Sequence, residues 1–343
     1  MDQFSAHLDR GWDLVQRGDH RGAEASARRA LELDKESPEA YNLLGYVAAM
    51  QGEFDEALEH YQQAIALDDT YLEAILNAAE VLIHPLGDLE EAERMCDDAL
   101  ELAESDEERV DALLLKFDAL LGQEQVPAAR ALCARLPRGP FENPAHTFLV
   151  GRALYEIGDL TSAAPLIEQA TASSPPNAES FYYLGLLRDE QGKPSEATQA
   201  FLRSRELELE APRALWALPS EKLHEATRDA MAALPEEIRN LVSFEHTYFA
   251  DLPGVEVIVE GVDPRALLLL DAAPPESVTE AEGETTEAGA GARPTRVFIY
   301  QRNIERVTTQ IDGLAQELTS ALEREIRSAF LGESETPRRS RDA

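Results

Sequence analysis

Cysteine is scarce in this chain: Cys96 and Cys133 are the only two in 343 residues. Two thiols without a CxxC partner exclude a disulfide framework and a thiolate metal site. Basic residues are also few, 31 against 66 acidic ones, and the formal charge of −35 repels phosphate, which argues against DNA or RNA as a partner. No run approaches the roughly 18 apolar residues of a membrane span. The start, MDQFSAHLDRGWDL, has no basic segment followed by an apolar one, so a signal peptide is not expected and a cytoplasmic location is. GxSxG, P-loop and GxGxxG motifs are all missing, which leaves nucleophile-elbow and phosphate-cradling chemistry without a carrier.

What the chain does have is a repeat. In Pro38 to Asp69, Tyr41, Leu44, Gly45, Gly52, Ala57, Tyr61 and Ala64 stand at offsets 0, 3, 4, 11, 16, 20 and 23. The small Gly45 and Ala57 are placed where two helices cross, Tyr41, Leu44 and Tyr61 fill the space around the crossing, and Gly52 ends the first helix in a turn. Thirty-four residues earlier stand Gly11, Gly18, Ala23, Ala27 and Ala30; thirty-four later stand Ile75, Ala78 and Ala79, followed by Ala92, Cys96 and Ala99 after one inserted residue in the turn HPLGD. A degenerate unit keeps Leu113, Phe117, Leu120, Ala129 and Cys133 with an irregular turn, GQEQVP. The pattern returns at Gly151, Leu154, Gly158, Ala163, Ile167 and Ala170, and again at Phe181, Leu184, Gly185, Gly192, Ala197 and Phe201. Six units are therefore expected, at about 4–36, 37–70, 71–105, 107–137, 144–176 and 178–211, with Pro137, Pro140 and Pro144 bracketing a joint. Both cysteines fall where a bulky residue packs in a second helix, so buried reduced thiols are expected.

This spacing resembles the tetratricopeptide repeat family. The resemblance implies stacked helix pairs wound into a right-handed superhelix, its concave face lined by the first helix of each unit. Positions one and five residues after the first-helix aromatic then face the groove. Here they are Leu8 and Trp12, Asn42 and Tyr46, Leu76 and Glu80, Phe148 and Arg152, Tyr182 and Leu186. Trp12, Asn42, Tyr46, Asn77, Glu80, Phe148, Arg152 and Tyr182 are the candidate peptide-binding residues, suited to a protein or peptide segment with apolar or basic character. One subclass of the family grips a terminal carboxylate with groove lysines and asparagines. Asn42 and Asn77 have no lysine beside them, and Glu39, Glu73 and Glu80 would repel a carboxylate.

After Pro212 the period stops. SEKLHEATRDAMA reads as an amphipathic helix and LPEEIRNL as a short helix or turn. VSFEHTYFADLP, ALLLL at 266–270 and RVFIYQ at 296–301 read as strands, and VEVIVEG is ambiguous between strand and helical turn. The Ala-, Glu- and Gly-rich stretch 271–294 reads as a disordered acidic loop. Thr308 to Leu331 reads as a long helix with Ile311, Leu314, Leu318, Leu322, Ile326 and Phe330 along one stripe. The fold class expected is mainly α: an α-solenoid over 1–213, a small α+β domain over 214–333, and a flexible basic tail over 334–343.

The order of LPEEIRN, DPRALLLL and PTRVFIYQRNIE resembles the minimal zincin-like metallopeptidase family of bacteria. That family carries HExxH on its last helix, two histidines on one face for zinc and a glutamate to activate water. Aligned here, Glu325 matches the glutamate while Arg324 and Ser328 stand at the histidine positions, and Leu331 stands where the glycine after the motif belongs. Arginine is a permanent cation and cannot ligate zinc. His224 and His246 lack partners at metal-ligand spacing. Together these readings point to a non-enzymatic adaptor with no cofactor: an array that binds a polypeptide segment, joined to an inactive zincin-like module for docking, regulation or capping. The alternative is a zinc-dependent peptidase with a non-standard metal site.

Overall fold

The computed structural model describes residues 2–213, 217–271, 295–307 and 313–331. The acidic loop expected at 271–294, apart from Asp271, the tail 334–343 and Ile311 lie outside the described residues. The chain divides into two compact units, Met1–Ser174 and Pro175–Ala343. The division falls at Ser174, one hairpin before the point where the repeat period ends.

The first unit is five helical hairpins: α1 (Gln3–Gln16) with α2 (His20–Leu33), α3 (Pro38–Gln51) with α4 (Phe54–Leu67), α5 (Leu72–Val81) with α6 (Leu89–Leu102), α7 (Asp106–Gly122) with α8 (Val126–Cys133), and α9 (Pro144–Glu156) with α10 (Leu160–Ala170). Each first helix packs on the next, α1 on α3, α3 on α5, α5 on α7 and α7 on α9. Side-chain caps start most of them: Asp2, Ser37 and Asn143 accept from the first-turn amides, and Ser105 with Glu108 forms a reciprocal capping box.

The helices of a pair meet on small residues. Ala23, Ala57, Ala92, Ala129 and Ala163 have no exposed surface. A Cβ added to Gly45 would lie 2.6 Å from the Tyr61 ring, so glycine at this crossing is what lets a fully buried tyrosine fill the gap. The turn after each first helix needs one left-handed residue. Gly18, Gly52, Gly87 and Gly158 supply it with φ of 73, 82, 71 and 82°. In the degenerate fourth unit Glu124 takes this place at φ 61°, which is why its turn looks irregular in the sequence.

The residue inserted in the third unit is absorbed as a π-helical turn, Leu82–Leu86, containing Pro85, whose missing N–H suits a wider turn. The prolines at 137, 140 and 144 do not break the stack. The loop they shape is long, but α9 returns to lie on α7, with Glu107 accepting from the backbone amides of Glu142 (2.5 Å) and Asn143 (3.0 Å).

The second unit opens with the sixth hairpin, α11 (Ala178–Glu190) and α12 (Pro194–Glu210), whose crossing repeats the pattern: a Cβ on Gly185 would lie 2.4 Å from the Phe201 ring. Then follow α13 (Ser220–Ala233), α14 (Glu236–Arg239), β1 (Val242–Ala250), α15 (Val255–Val259), β2 (Leu268–Asp271), β3 (Thr295–Tyr300), α16 (Gln301–Val307) and α17 (Leu314–Ile326), the last running into a π-helical turn, Arg327–Leu331. VEVIVEG thus resolves as helix. Gln301, read as the last residue of a strand, instead begins α16. The sheet order is β1-β3-β2, with β1 parallel and β2 antiparallel to β3. One sheet face buries Val297, Ile299 and Leu268 against Leu223, Ala230 and Met231 of α13 and Leu314, Leu318, Leu322 and Ile326 of α17. Inside this unit Glu305 of α16 is buried, accepting from the Leu218 amide (2.9 Å) and from Gln301 Nε2 (2.7 Å).

Two outcomes follow for the first unit. Replacing Glu124 by Gly relieves a left-handed side chain and raises stability by about 1 kcal/mol, a gain of roughly 2–4 °C in thermal unfolding followed by circular dichroism, whereas Gly45→Val forces the Tyr61 ring aside and lowers it by about 1–3 kcal/mol. Cys96 and Cys133 are buried, and desolvation pushes both thiols up to about 12, so neither reacts with Ellman's reagent in the native protein and both react in denaturant.

Candidate functional site

The first-helix face of the first unit carries the candidate residues, and they separate by burial. Trp12 and Tyr46 occupy equivalent positions, each six residues before its turn glycine, Gly18 or Gly52. Both are half-buried, and their rings meet edge to face with centroids 5.3 Å apart. Trp12 packs with Leu8 against the buried Leu43, Leu44 and Val47, so its ring is held from below. Glu80, at the same place in the third unit, is exposed.

Asn42 does not face solvent. It has no exposed surface and forms a cross-repeat knot: its Nδ2 donates to Glu73 (3.1 Å) and to the Tyr71 hydroxyl (3.4 Å), and its Oδ1 accepts from Asn77 Nδ2 (3.0 Å). A buried amide must be satisfied, and here the neighbouring repeat satisfies it. Asn42 is therefore a fastener between units rather than a groove contact, and half-buried Asn77 shares that duty. Phe148 is also buried, its surface 3% exposed, so it packs between helices instead of lining a groove.

Arg152 is half-buried and faces Asp118 of the preceding unit with Nη2 3.0 and 3.2 Å from the two carboxylate oxygens. Burial pushes the Asp118 carboxyl up, and the guanidinium opposes that shift. A second tie joins the same two helices. His146 is buried with Nε2 2.8 Å from Asp111, and Glu107 lies 3.8 Å from its other nitrogen. The signal for these ties was present in the sequence as complementary polar residues one repeat apart: Asn42 and Asn77, Asp111 and His146, Asp118 and Arg152.

Tyr182 belongs to the second unit and is covered there by the unit's own chain. The Arg265 guanidinium carbon lies 3.9 Å from the ring centre, and the Tyr182 hydroxyl donates to Asp263 at 3.1 Å. The equivalence of Tyr182 with the groove positions of earlier units holds along the helix, but the loop between α15 and β2 takes its open side. Arg265 also reaches Glu179 (3.2 Å) and Glu208 (3.5 Å), and Arg306 reaches Glu208 at 2.5 Å.

On α17, Arg324 is exposed and its Nε lies 3.5 Å from the partly exposed Glu325, while Ser328 is exposed in the π-helical turn that follows. His224 packs its ring 4.1 Å from that of Phe249, on the α13 side of the sheet. Among the described residues, no three His, Cys, Asp or Glu side chains converge as a metal site would require, and no helix is long and apolar enough to cross a membrane.

The comparisons with known proteins agree with the repeat geometry. Two family models, each described as tetratricopeptide repeat, match the chain, one at residues 8–71 and 148–218, the other at 48–116. Among solved structures, PilF of Pseudomonas aeruginosa is similar with 21% identity and a TM-score of 0.51, over 60% of this chain and 91% of that one. PilW, a widely conserved type IV pilus biogenesis factor, is similar with 18% identity and a TM-score of 0.50, over 59% of this chain and 92% of its own. Such identities speak to fold alone. No curated protein matches the chain. The two models together span 8–116 and 148–218, more than half of the 343 residues, and they match where the glycine-and-alanine crossings stack, so the chain belongs to the tetratricopeptide repeat family.

Proposed function

We propose that this chain is a non-enzymatic adaptor that binds a segment of a partner polypeptide across the first-helix face of its array. Tetratricopeptide repeat proteins bind protein or peptide partners, and repeat stacks offer extended surfaces for that purpose. The observation that carries the reading is the Trp12–Tyr46 pair, two large half-buried rings in edge-to-face contact, Trp12 being supported by the buried Leu43 and Val47. Rigid aromatic area beside the exposed Glu80 suits a segment with an apolar anchor and a basic neighbour. Asn77, Glu80 and Arg152 border the same face in this reading.

The α+β module is the second part of the proposal. We read it as an inactive zincin-like domain, with Arg324 and Ser328 standing where zinc histidines would be, kept for docking, regulation or closure of the repeat series. Closure is favoured by the way the module grips its own hairpin. Arg302 donates to the backbone carbonyls of Glu208 and Ala211, Arg205 donates to the Pro253 carbonyl at 2.5 Å, and Arg265 and Arg306 hold Glu179 and Glu208.

Trp12→Ala with Tyr46→Ala weakens capture of the native partner about tenfold or more in affinity purification with the full chain, while Tyr182→Ala leaves capture unchanged and lowers the melting temperature, since its ring supports Arg265. Equal capture by the wild type and the Trp12/Tyr46 variant would place the interface elsewhere. Elemental analysis of the purified protein finds no stoichiometric zinc, and EDTA leaves its melting temperature unmoved; bound zinc with peptidase activity would establish the metal-dependent alternative.

A further inference from the structure

One guanidinium in the second unit is held the way a ligand is held. Arg265, in the loop between α15 and β2, lies with its guanidinium carbon 3.9 Å from the centre of the Tyr182 ring. Its Nη2 meets carboxylates from both helices of the sixth hairpin, Glu179 of α11 at 3.2 Å and Glu208 of α12 at 3.5 Å. Arg306 Nη2 holds the other Glu208 oxygen at 2.5 Å and fixes that carboxylate in place. The Arg265 and Glu208 side chains are only 16% and 11% exposed, so stacking and charge attraction act there with little water to screen them.

Arg265 fills this site incompletely. One nitrogen serves two carboxylates, while its Nε and the Glu208 Oε1 are buried without a hydrogen bond. Guanidinium and carboxylate pair best as a two-pronged fork, and buried donors and acceptors left over are costly. Tethering accounts for the misfit. Buried Asn303 donates Nδ2 to the carbonyls of Pro264 (2.8 Å) and Ala266 (2.7 Å), and Asp263 accepts from the Arg265 backbone amide (2.8 Å) and the Tyr182 hydroxyl (3.1 Å). A side chain anchored between such clamps has one direction of approach, whereas an arginine on a separate chain can choose its own. None of the four clamping bonds uses the Arg265 side chain, so that side chain can leave while the loop stays.

We propose that Tyr182, Glu179 and Glu208 form a binding site for an arginine side chain of another polypeptide, and that Arg265 is its internal occupant, which the incoming arginine displaces. This goes beyond the adaptor reading, because the site is separate from the Trp12–Tyr46 pair. Shut in the resting chain, it contributes nothing to capture through that pair. The excess of 66 acidic over 31 basic residues draws basic segments toward the chain, and this site selects arginine among them.

The probe is N-acetylarginine amide, titrated into the full chain and followed by saturation-transfer NMR, with N-acetylcitrulline amide as its neutral counterpart. Arg265→Ala is expected to bind the arginine probe about tenfold tighter than the wild type and to bind the citrulline probe no better. The gain disappears in Arg265→Ala/Tyr182→Ala and in Arg265→Ala/Glu179→Gln. Arg21→Ala, which removes the same charge from an exposed position on α2, behaves as the wild type. Equal affinity of the wild type and Arg265→Ala would overturn the proposal, as would an equal gain in Arg21→Ala, since the attraction would then belong to net charge. If circular dichroism shows Arg265→Ala unfolded, Arg265→Lys serves instead, because it keeps the charge and loses the planar fork; a gain of several-fold supports the site and none sinks it. Should Trp12→Ala/Tyr46→Ala added to Arg265→Ala abolish the gain, the arginine binds at the adaptor face, and this site falls while the adaptor reading stands.

Discussion

The structure depends on one constraint, the close approach of paired helices at a residue with almost no side chain. Where Gly45 meets Tyr61 and Gly185 meets Phe201, the helices come near enough for an aromatic ring to close the space that a methyl group would occupy. Alanines without exposed surface extend the same contact along each pair, at Ala23, Ala27 and Ala30 in the first hairpin and Ala57 and Ala64 in the second. A hairpin packed this way still leaves an apolar side uncovered, and the next hairpin covers it. Stacking is the consequence, and a continuous first-helix face is the consequence of stacking.

That constraint is also why so much of the array could be read from residues alone. Small residues at crossings and glycine in left-handed turns recur at fixed offsets, and no other residue types serve those positions at equal stability. Glu124 is the exception that hid the fourth turn, since a non-glycine residue in the left-handed region carries no signature in sequence. The face residues were less legible. Offset along a helix says which way a side chain points, but Asn42 is buried by its bonds to the neighbouring repeat, Phe148 is buried as well, and Tyr182 points toward a loop that is distant in sequence. Long-range closure of this kind has no local pattern. The strands at 242–250 and 295–300 were visible from alternation, whereas α16 was not, because its seven residues follow a strand directly and its holding contact is a buried Glu305.

Charge gives the array its second layer of organisation. With 66 acidic residues against 31 basic ones, most carboxylates cannot find a counter-ion within the chain. The available cations are placed with economy. Arg152 and His146 tie α9 to α7 where the connecting loop is long, and Arg265, Arg302 and Arg306 join the α+β module to the sixth hairpin within the second unit. Among the described residues, the exposed Glu39, Glu73 and Glu80 of the first helices are carboxylates with no cation paired to them. That acidic surface and the Trp12–Tyr46 rings belong to the face proposed above for binding a partner segment.

Hydrogen exchange of the full chain with and without its co-purified partner tests the central claim most directly. The account predicts added protection in α1, α3 and α5, whose outer faces would be covered, with the second helices α2, α4 and α6 unchanged. Protection confined to those second helices, or to α17 around Glu325, would contradict it.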